Sequence, residues 1–250
     1  MNSRILTIAL LFTLTVSLTL YFLPIHRSPP IAPGVEWRYY YREIMTSGGK
    51  MVYEVEATLD YSATDLSGAD LIVKLSNNFK QRYFSESDSE PLASNGTEMI
   101  LFRVNILDRK YPNGVYTSWW IPTDIFIGSS VVIWNLEFHV RGLSWAVVDG
   151  KLVECWLLEY RGDLEEYTIL YERTTGLFVR FSARRSIGAS HILMERWLER
   201  INVGWPALSL IRPLLIFVSL ASLAALLFLL ARKIRERLRR FRAEPTPLIY

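Results

Sequence analysis

The chain has 250 residues, half of them hydrophobic, and carries 28 Lys and Arg against 25 Asp and Glu for a formal net charge of +3. That excess is local: residues 35–204 hold 18 basic and 23 acidic side chains, whereas residues 232–250 hold 7 and 2. A domain with an acidic balance lacks the basic face that nucleic-acid binding needs. A single cysteine, Cys155, excludes an intrachain disulfide.

Residues 1–4 carry one cation, Arg4, and precede an apolar run over residues 5–23, 19 positions long. A bilayer core of roughly 30 Å takes about 20 helical residues, so this run is read as a transmembrane helix acting as a signal anchor. A cleavable signal peptide is the alternative. Signal h-regions are about 7–15 residues long and close on small residues. This run instead exits through Phe22-Leu23-Pro24-Ile25-His26, which favours the retained anchor. Residues 24–34 follow as a stiff, proline-rich spacer.

Residues 35–204 alternate at period two, the mark of half-buried strands. Val35, Trp37, Tyr39 and Tyr41 share one face of the first strand, and Met51, Tyr53, Val55, Ala57, Leu59 and Tyr61 share one face of the second. Ile72, Leu75 and Phe79 approximate helical spacing, so residues 67–84 are a helix candidate. Residues 132–140 read as one strand with Val132, Trp134, Leu136, Phe138 and Val140 on its apolar side. Turn chemistry at Ser47-Gly48-Gly49, Asn95-Gly96, Asn113-Gly114, Asp149-Gly150 and Thr175-Gly176 separates the runs. It yields hairpins over residues 145–160 and 166–181, and residues 191–203 form the last strand.

The fold expected is mostly β: an extracytoplasmic antiparallel sheet, a meander or curled half-barrel, flanked by an N-terminal and a C-terminal transmembrane helix. The eight Trp, 13 Tyr and 12 Phe are expected to pack its core, with a groove for an apolar ligand as the alternative.

Residues 205–231 supply an interfacial segment and a second transmembrane helix, whose apolar run covers residues 213–231. Trp205 and Arg212 suit interfacial anchors at its outer end. Residues 232–250 form a basic cytoplasmic tail, with Arg232, Lys233 and Arg235 directly beside the bilayer and anionic headgroups as partners. Ile234, Leu238 and Phe241 make the tail an amphipathic continuation of the helix. By the positive-inside rule, this cluster and Arg4 place both termini in the cytoplasm and the central domain outside the cell membrane. Ala9, Thr13 and Ser17 in the first run, and Ala221 and Ala225 in the second, fall four apart. Such ridges let helices approach, so the two runs pair with each other, or with another membrane protein, or the spacing is incidental.

Motifs that carry chemistry are scarce. His26, His139 and His191 are isolated in sequence, and no Cys-x-x-Cys or His-x-x-x-His occurs, so no metal or other cofactor is expected. His139 lies on a polar strand phase, where a solvated charge ladder is the simpler role. Cys155 stands in an apolar strand without a basic neighbour to activate it. The nucleophile-elbow, P-loop and dinucleotide glycine patterns are absent. Asn95-Gly96-Thr97 is an N-glycosylation sequon, expected in an outer loop over residues 85–97, with Asn95 the acceptor.

The succession Trp119-Trp120-Ile121-Pro122, Phe126-Ile127-Gly128, Phe138-His139-Val140, Val148-Asp149-Gly150-Lys151-Leu152-Val153-Glu154-Cys155-Trp156 and Tyr171-Glu172-Arg173-Thr174-Thr175-Gly176-Leu177 resembles an uncharacterised group of archaeal membrane-anchored surface proteins with an antiparallel β domain. In rhythm it is similar to lipoprotein-carrier half-barrels, in which an aromatic strand end precedes a Thr-Gly turn. The archaeal group implies no activity; the half-barrel likeness implies binding of lipid or another apolar ligand.

The reading is therefore a non-enzymatic structural or accessory subunit of the cell envelope. The alternative is a lipid- or apolar-ligand-binding half-barrel, and the third reading is an unrecognised hydrolase assembled from scattered acids.

Overall fold

The computed structural model describes residues 3–22, 30–84, 92–203 and 207–243. His26 and Trp205, and the Arg4 side chain, lie outside the described residues. The chain divides into two compact units: residues 1–23 with 211–250, and residues 24–210.

The first unit is helical. It holds α1 (Ser3–Phe22) and most of α2 (Ala207–Ala243). Among the described residues, Ile211–Glu236 is the one helix long and apolar enough to cross a membrane, with a mean hydropathy of 2.8. Ile5–Tyr21 is apolar but shorter, and lies within the 20 residues of α1, which at about 1.5 Å per residue rise about 30 Å, the thickness of a bilayer core. The two apolar helices are therefore unequal in length, and the C-terminal one is the candidate membrane anchor.

The two helices pack together. Ser17 and Ser219 hydroxyls meet at 2.8 Å, and Ser17, Tyr21, Arg212, Ser219 and Ser222 are buried. The small-residue ridges are corrected here: Ala9, Thr13 and Ala221 are exposed, and Thr13 bonds back to the Ala9 carbonyl. A four-residue spacing drifts around a helix, whereas steps of three and four, as in Leu10, Leu14, Ser17 and Tyr21, stay on one side. Arg212 is the second residue of the apolar span Ile211–Glu236 and is buried, and Pro213 lies inside α2.

The second unit is one ten-stranded antiparallel sheet. In chain order its strands are β1 (Glu36–Ser47), β2 (Lys50–Ser67), β3 (Asp70–Tyr83), β4 (Leu92–Asn105), β5 (Ser130–Ile133), β6 (Leu136–Val148), β7 (Lys151–Arg161), β8 (Glu165–Glu172), β9 (Phe178–Ile187) and β10 (Ser190–Ile201). The spatial order β4-β3-β2-β1-β10-β9-β8-β7-β6-β5 puts the first and last strands side by side in the middle. Two meanders run outward from that pair, and β4 and β5 form the edges.

Three local expectations are corrected. Residues 67–84 contain no helix: β2 turns at Gly68, with φ of 63°, into β3. Leu71, Val73 and Leu75 are buried at period two, so strand alternation outweighs the looser helical spacing. Residues 132–140 are not one strand. Trp134 and Asn135, at φ of 52° and 64°, make the two-residue turn between β5 and β6. The turn shifts the phase, burying Val131, Ile133, Phe138 and Val140 and leaving Val132 exposed. Asn95-Gly96 makes no turn; it lies within β4, with Asn95 opposite Lys80 and Gly96 opposite Phe79. A Cβ on Gly96 would stand 2.4 Å from the Phe79 ring, so the glycine makes room for the aromatic.

The inner face of the sheet holds the core. Trp37 and Tyr39 of β1, Tyr61 of β2, Leu71 and Val73 of β3, Val104 of β4 and Leu198 of β10 are all buried. Burying such side chains stabilises the fold by about 1.5–3 kcal/mol each.

Candidate ligand groove on the inner face

The long connection from β4 to β5 covers part of that inner face. Its residues Thr117, Ser118, Trp119, Trp120 and Ile121 are buried. The Trp119 ring stands 5.6–5.8 Å from the rings of Trp37, Tyr61, Phe102 and Tyr111. Backbone bonds fix the segment: Phe178 N–H donates to Trp119 O at 2.9 Å, and Ile121 N–H donates to Gly176 O at 2.9 Å. The Tyr171 hydroxyl donates to Ser118 O at 2.9 Å. Arg109, itself at φ of 61°, donates to the carbonyls of Trp120 and Val132, and burial lowers its pKa. The aromatic residues singled out in the sequence are thus largely core, and the chain covers that part of its own inner face.

A buried polar lock holds the turn against which this segment rests. Arg173 donates to Glu154 at 2.7 Å and lies 5.1 Å over the Trp156 ring. Glu172 accepts the N–H groups of Thr174 and Thr175 at 2.8 and 2.6 Å, and the Thr175 hydroxyl. Both carboxylates are spent on structure. Beside them Cys155 is buried, and burial pushes its thiol well above its ordinary pKa, reinforced by Glu172 and Glu154.

The other part of the inner face is uncovered. There Tyr41 of β1, Val55, Ala57 and Leu59 of β2 and Phe79 of β3 line an open groove of about 270 Å³. Four polar residues share it: Asn77, Gln81, Glu98 and Arg196. Arg196 projects from the inner phase of β10, between Met194 and Leu198. Its guanidinium lies 4.5 Å from the Phe178 ring and 5.4 Å from the Tyr39 ring. Its Nη2 reaches Ser118 Oγ only at 3.4 Å, and its buried Nε has no hydrogen-bond partner. Asn77 Oδ1 is likewise buried without a partner.

Arg196 is electrostatically unusual. Several other arginines of the sheet are paired, Arg38 with Asp60 at 2.6 Å, Arg42 with Glu54 at 2.8 Å and Arg180 with Glu195 at 3.2 Å. No carboxylate lies within ion-pair distance of Arg196 among the described residues. Its neighbours are tyrosines instead. Burial raises the pKa of Tyr39, Tyr41 and Tyr61 and pushes that of Tyr111 up to about 12, and the Arg196 charge opposes each rise.

A larger cleft of about 750 Å³ is lined by Arg38, Asp60, Lys74, Asp149 and Arg200. Its best-placed cation and anion, Arg38 and Asp60, already satisfy each other. The smaller groove, with its unsatisfied atoms, is the better candidate for a ligand.

No family model matches the chain, and no curated protein matches it. Solved structures resemble it only distantly. An S-type phycobiliprotein lyase from Guillardia theta aligns at 9% identity and TM-score 0.26, over 68% of this chain and 89% of its own. A protein of YmcC-like fold from Bacteroides fragilis aligns at 10% and 0.30, over 71% and 100%. An AttH-type protein from Nitrosomonas europaea aligns at 9% and 0.24, over 68% and 51%. No family assignment follows, and the archaeal resemblance gains none.

The residues singled out from the sequence are scattered over the structure. His139 and His191 are exposed, each with Nδ1 near a serine hydroxyl, Ser130 at 3.1 Å and Ser186 at 3.0 Å. No group of three His, Cys, Asp or Glu side chains placed for a metal ion occurs among the described residues. Asn95 is exposed on β4 rather than in a loop, and the Thr97 hydroxyl donates across to Asn78 at 2.9 Å. Arg232, Lys233 and Arg235 are exposed, Arg232 bonding to Glu236 at 2.9 Å. Arg196 and Asn77 escaped the sequence reading. Their signal was a polar residue on the apolar phase of a strand, Asn77 after Leu71, Val73 and Leu75, and Arg196 before Leu198.

Proposed function

We propose that the chain is a membrane-anchored β-domain protein of the cell envelope, a non-enzymatic accessory subunit whose sheet stands outside the membrane with both termini in the cytoplasm. The observation that carries this reading is the apolar span Ile211–Glu236, which closes on the exposed cations Arg232, Lys233 and Arg235 and packs on α1 through Ser17 and Ser219. The positive-inside bias supplies the orientation. Membrane lipids are then its immediate partners, and a second membrane protein is the subunit it would serve. Asn95, exposed on the outer domain, is available there for glycosylation.

Topology decides the matter. Asp163→Cys, at an exposed turn of the sheet, should react with a membrane-impermeant maleimide on intact cells. Lys233→Cys should react only after permeabilisation, and the reverse pattern would overturn the orientation. Purification in mild detergent should bring down a stoichiometric membrane partner; a strictly solitary protein would remove the accessory role. A second reading, that the domain holds an apolar ligand, is favoured by the uncovered groove on its inner face.

A further inference from the structure

We propose that the uncovered groove binds a single-chain amphiphile with a carboxylate head, the head held by Arg196 and the tail laid along Tyr41, Val55, Ala57, Leu59 and Phe79. The inference rests on the second reading above, that the domain holds an apolar ligand, and names its class.

Three features lead to it. The groove floor is apolar, with Val55 and Ala57 nearly fully buried from solvent at 6% and 4%. A free tail entering it would remove further apolar surface from water, which is the driving force for such ligands. Lining it too is the Arg196 guanidinium, with no carboxylate at ion-pair distance among the described residues and a buried, unpartnered Nε. Nε and Nη2 form the edge of the guanidinium that takes a carboxylate through two parallel N–H···O bonds. Nε has no partner, while Nη2 makes the long contact to Ser118 and the guanidinium also interacts with the Tyr61 hydroxyl.

A buried donor left without an acceptor is costly, and natural structures keep few of them. A carboxylate satisfies both the missing hydrogen bond and the missing charge. Asn77 Oδ1, on the same groove, adds an acceptor for a water or hydroxyl beside the head. Glu98 at the exposed edge strand makes a second anionic group unwelcome there, so one charge and one tail fit better than a multiply charged head. Size sets the tail: at roughly 30 Å³ for a water-sized group, which a methylene approximates, 270 Å³ takes about nine of them.

The test is photolabelling of the full chain in phosphatidylcholine nanodiscs. The probe is a nine-carbon carboxylic acid with a diazirine in its tail, and its comparator is the primary alcohol of the same length. The acid should label peptides spanning residues 55–59 and 77–81. Arg196→Met should reduce that labelling at least about tenfold, the loss expected for a charge-assisted pair, while Arg196→Lys keeps a larger share. Ala57→Phe, which fills the groove and leaves the guanidinium, should abolish labelling by acid and alcohol alike. Thermal melts of each variant separate loss of site from loss of fold. Equal labelling by acid and alcohol, unchanged in Arg196→Met, would overturn the head-group assignment and leave the apolar-ligand reading standing. Absence of both probes from the groove peptides of the folded wild-type chain would overturn both.

Discussion

Gly176 and Ile121 touch backbone to backbone. Ile121 N–H donates to Gly176 O at 2.9 Å, and a Cβ on Gly176 would stand 2.2 Å from Ile121 O. Gly176 also holds φ of 70°, which L side chains adopt only at a cost. The Thr-Gly turn of the sequence is therefore the seat on which the covering segment rests. Its carboxylate frame, Glu172 and Glu154, keeps that seat in place.

Gly176→Ala should loosen the covering segment. The positive φ alone costs about 1–3 kcal/mol, and the close approach to Ile121 adds to it. Gly188, at φ of 60° with open space around its Cβ position, isolates the first contribution. Melting of the two variants should differ by at least about 4 °C, given roughly 2–4 °C per kcal/mol for a domain of this size. Equal melting points would mean that the contact with Ile121 bears no strain.

Arg173→Met should destabilise the domain by about 3–5 kcal/mol, because Glu154 is left charged in a buried site. Glu154 is 1% exposed and Arg173 8%. Replacing both, Glu154→Met with Arg173→Met, should restore much of the loss, since neither charge of the pair then remains in the buried site. Denaturant midpoints of the single and double variants measure this directly. A double variant no better than the single one would place the stabilisation in hydrogen bonds rather than in charge pairing.

Much of this architecture was legible because strand alternation and turn residues agree. The hairpins at Asp149-Gly150 and Thr175-Gly176 were readable from Gly at the required positive φ, and Val55, Ala57 and Tyr61 from their period of two. The two-residue turn at Trp134-Asn135 was hidden because tryptophan is an unusual occupant of a left-handed conformation. Strand order was not readable at all: pairing of β1 with β10 depends on long-range packing. Neither was the candidate site. Arg196 and Asn77 interrupt the apolar phase of their strands, a signal that gains weight only once the covering segment is seen to leave their groove open.

Alkaline pH should unfold the domain earlier than a surface-charge argument predicts. Burial raises the pKa values of Tyr39 and Tyr171 and pushes Tyr111 up to about 12, and Cys155 is raised by the same cause. In the unfolded chain these groups lose protons near 10 for tyrosine and about 8.5 for cysteine. The unfolded state then binds fewer protons than the folded one, so stability present below those values falls as pH rises. Each group contributes about 1.4 kcal/mol per pH unit within its window, which for Tyr111 closes near 12. Melting temperatures from pH 7 to 11 should fall progressively above about pH 8.5. The slope above pH 10 should be shallower in Tyr39→Phe. A flat profile would show that the tyrosines ionise as freely in the folded domain as out of it.

Helix pairing can be tested at single residues. Ser17 and Ser219 meet at 2.8 Å, whereas Thr13 and Ala221 are both exposed on their helices. The cysteine pair Ser17→Cys with Ser219→Cys should therefore cross-link on mild oxidation, and Thr13→Cys with Ala221→Cys should not. Cys155 is fully buried and stays silent in both. A protease site placed in the exposed turn at Asp163 separates intramolecular from intermolecular products. Fragments that stay joined after cleavage, at the mass of one chain, report pairing within the chain. If only chain dimers form, the serines face a second copy instead. Without a polar partner each hydroxyl would still bond back to its own helix, to Leu14 or Leu215. The contact is thus a packing choice rather than a rescue of stranded groups, and Ser219→Ala should weaken cross-helix association only modestly, by about 0.6 kcal/mol.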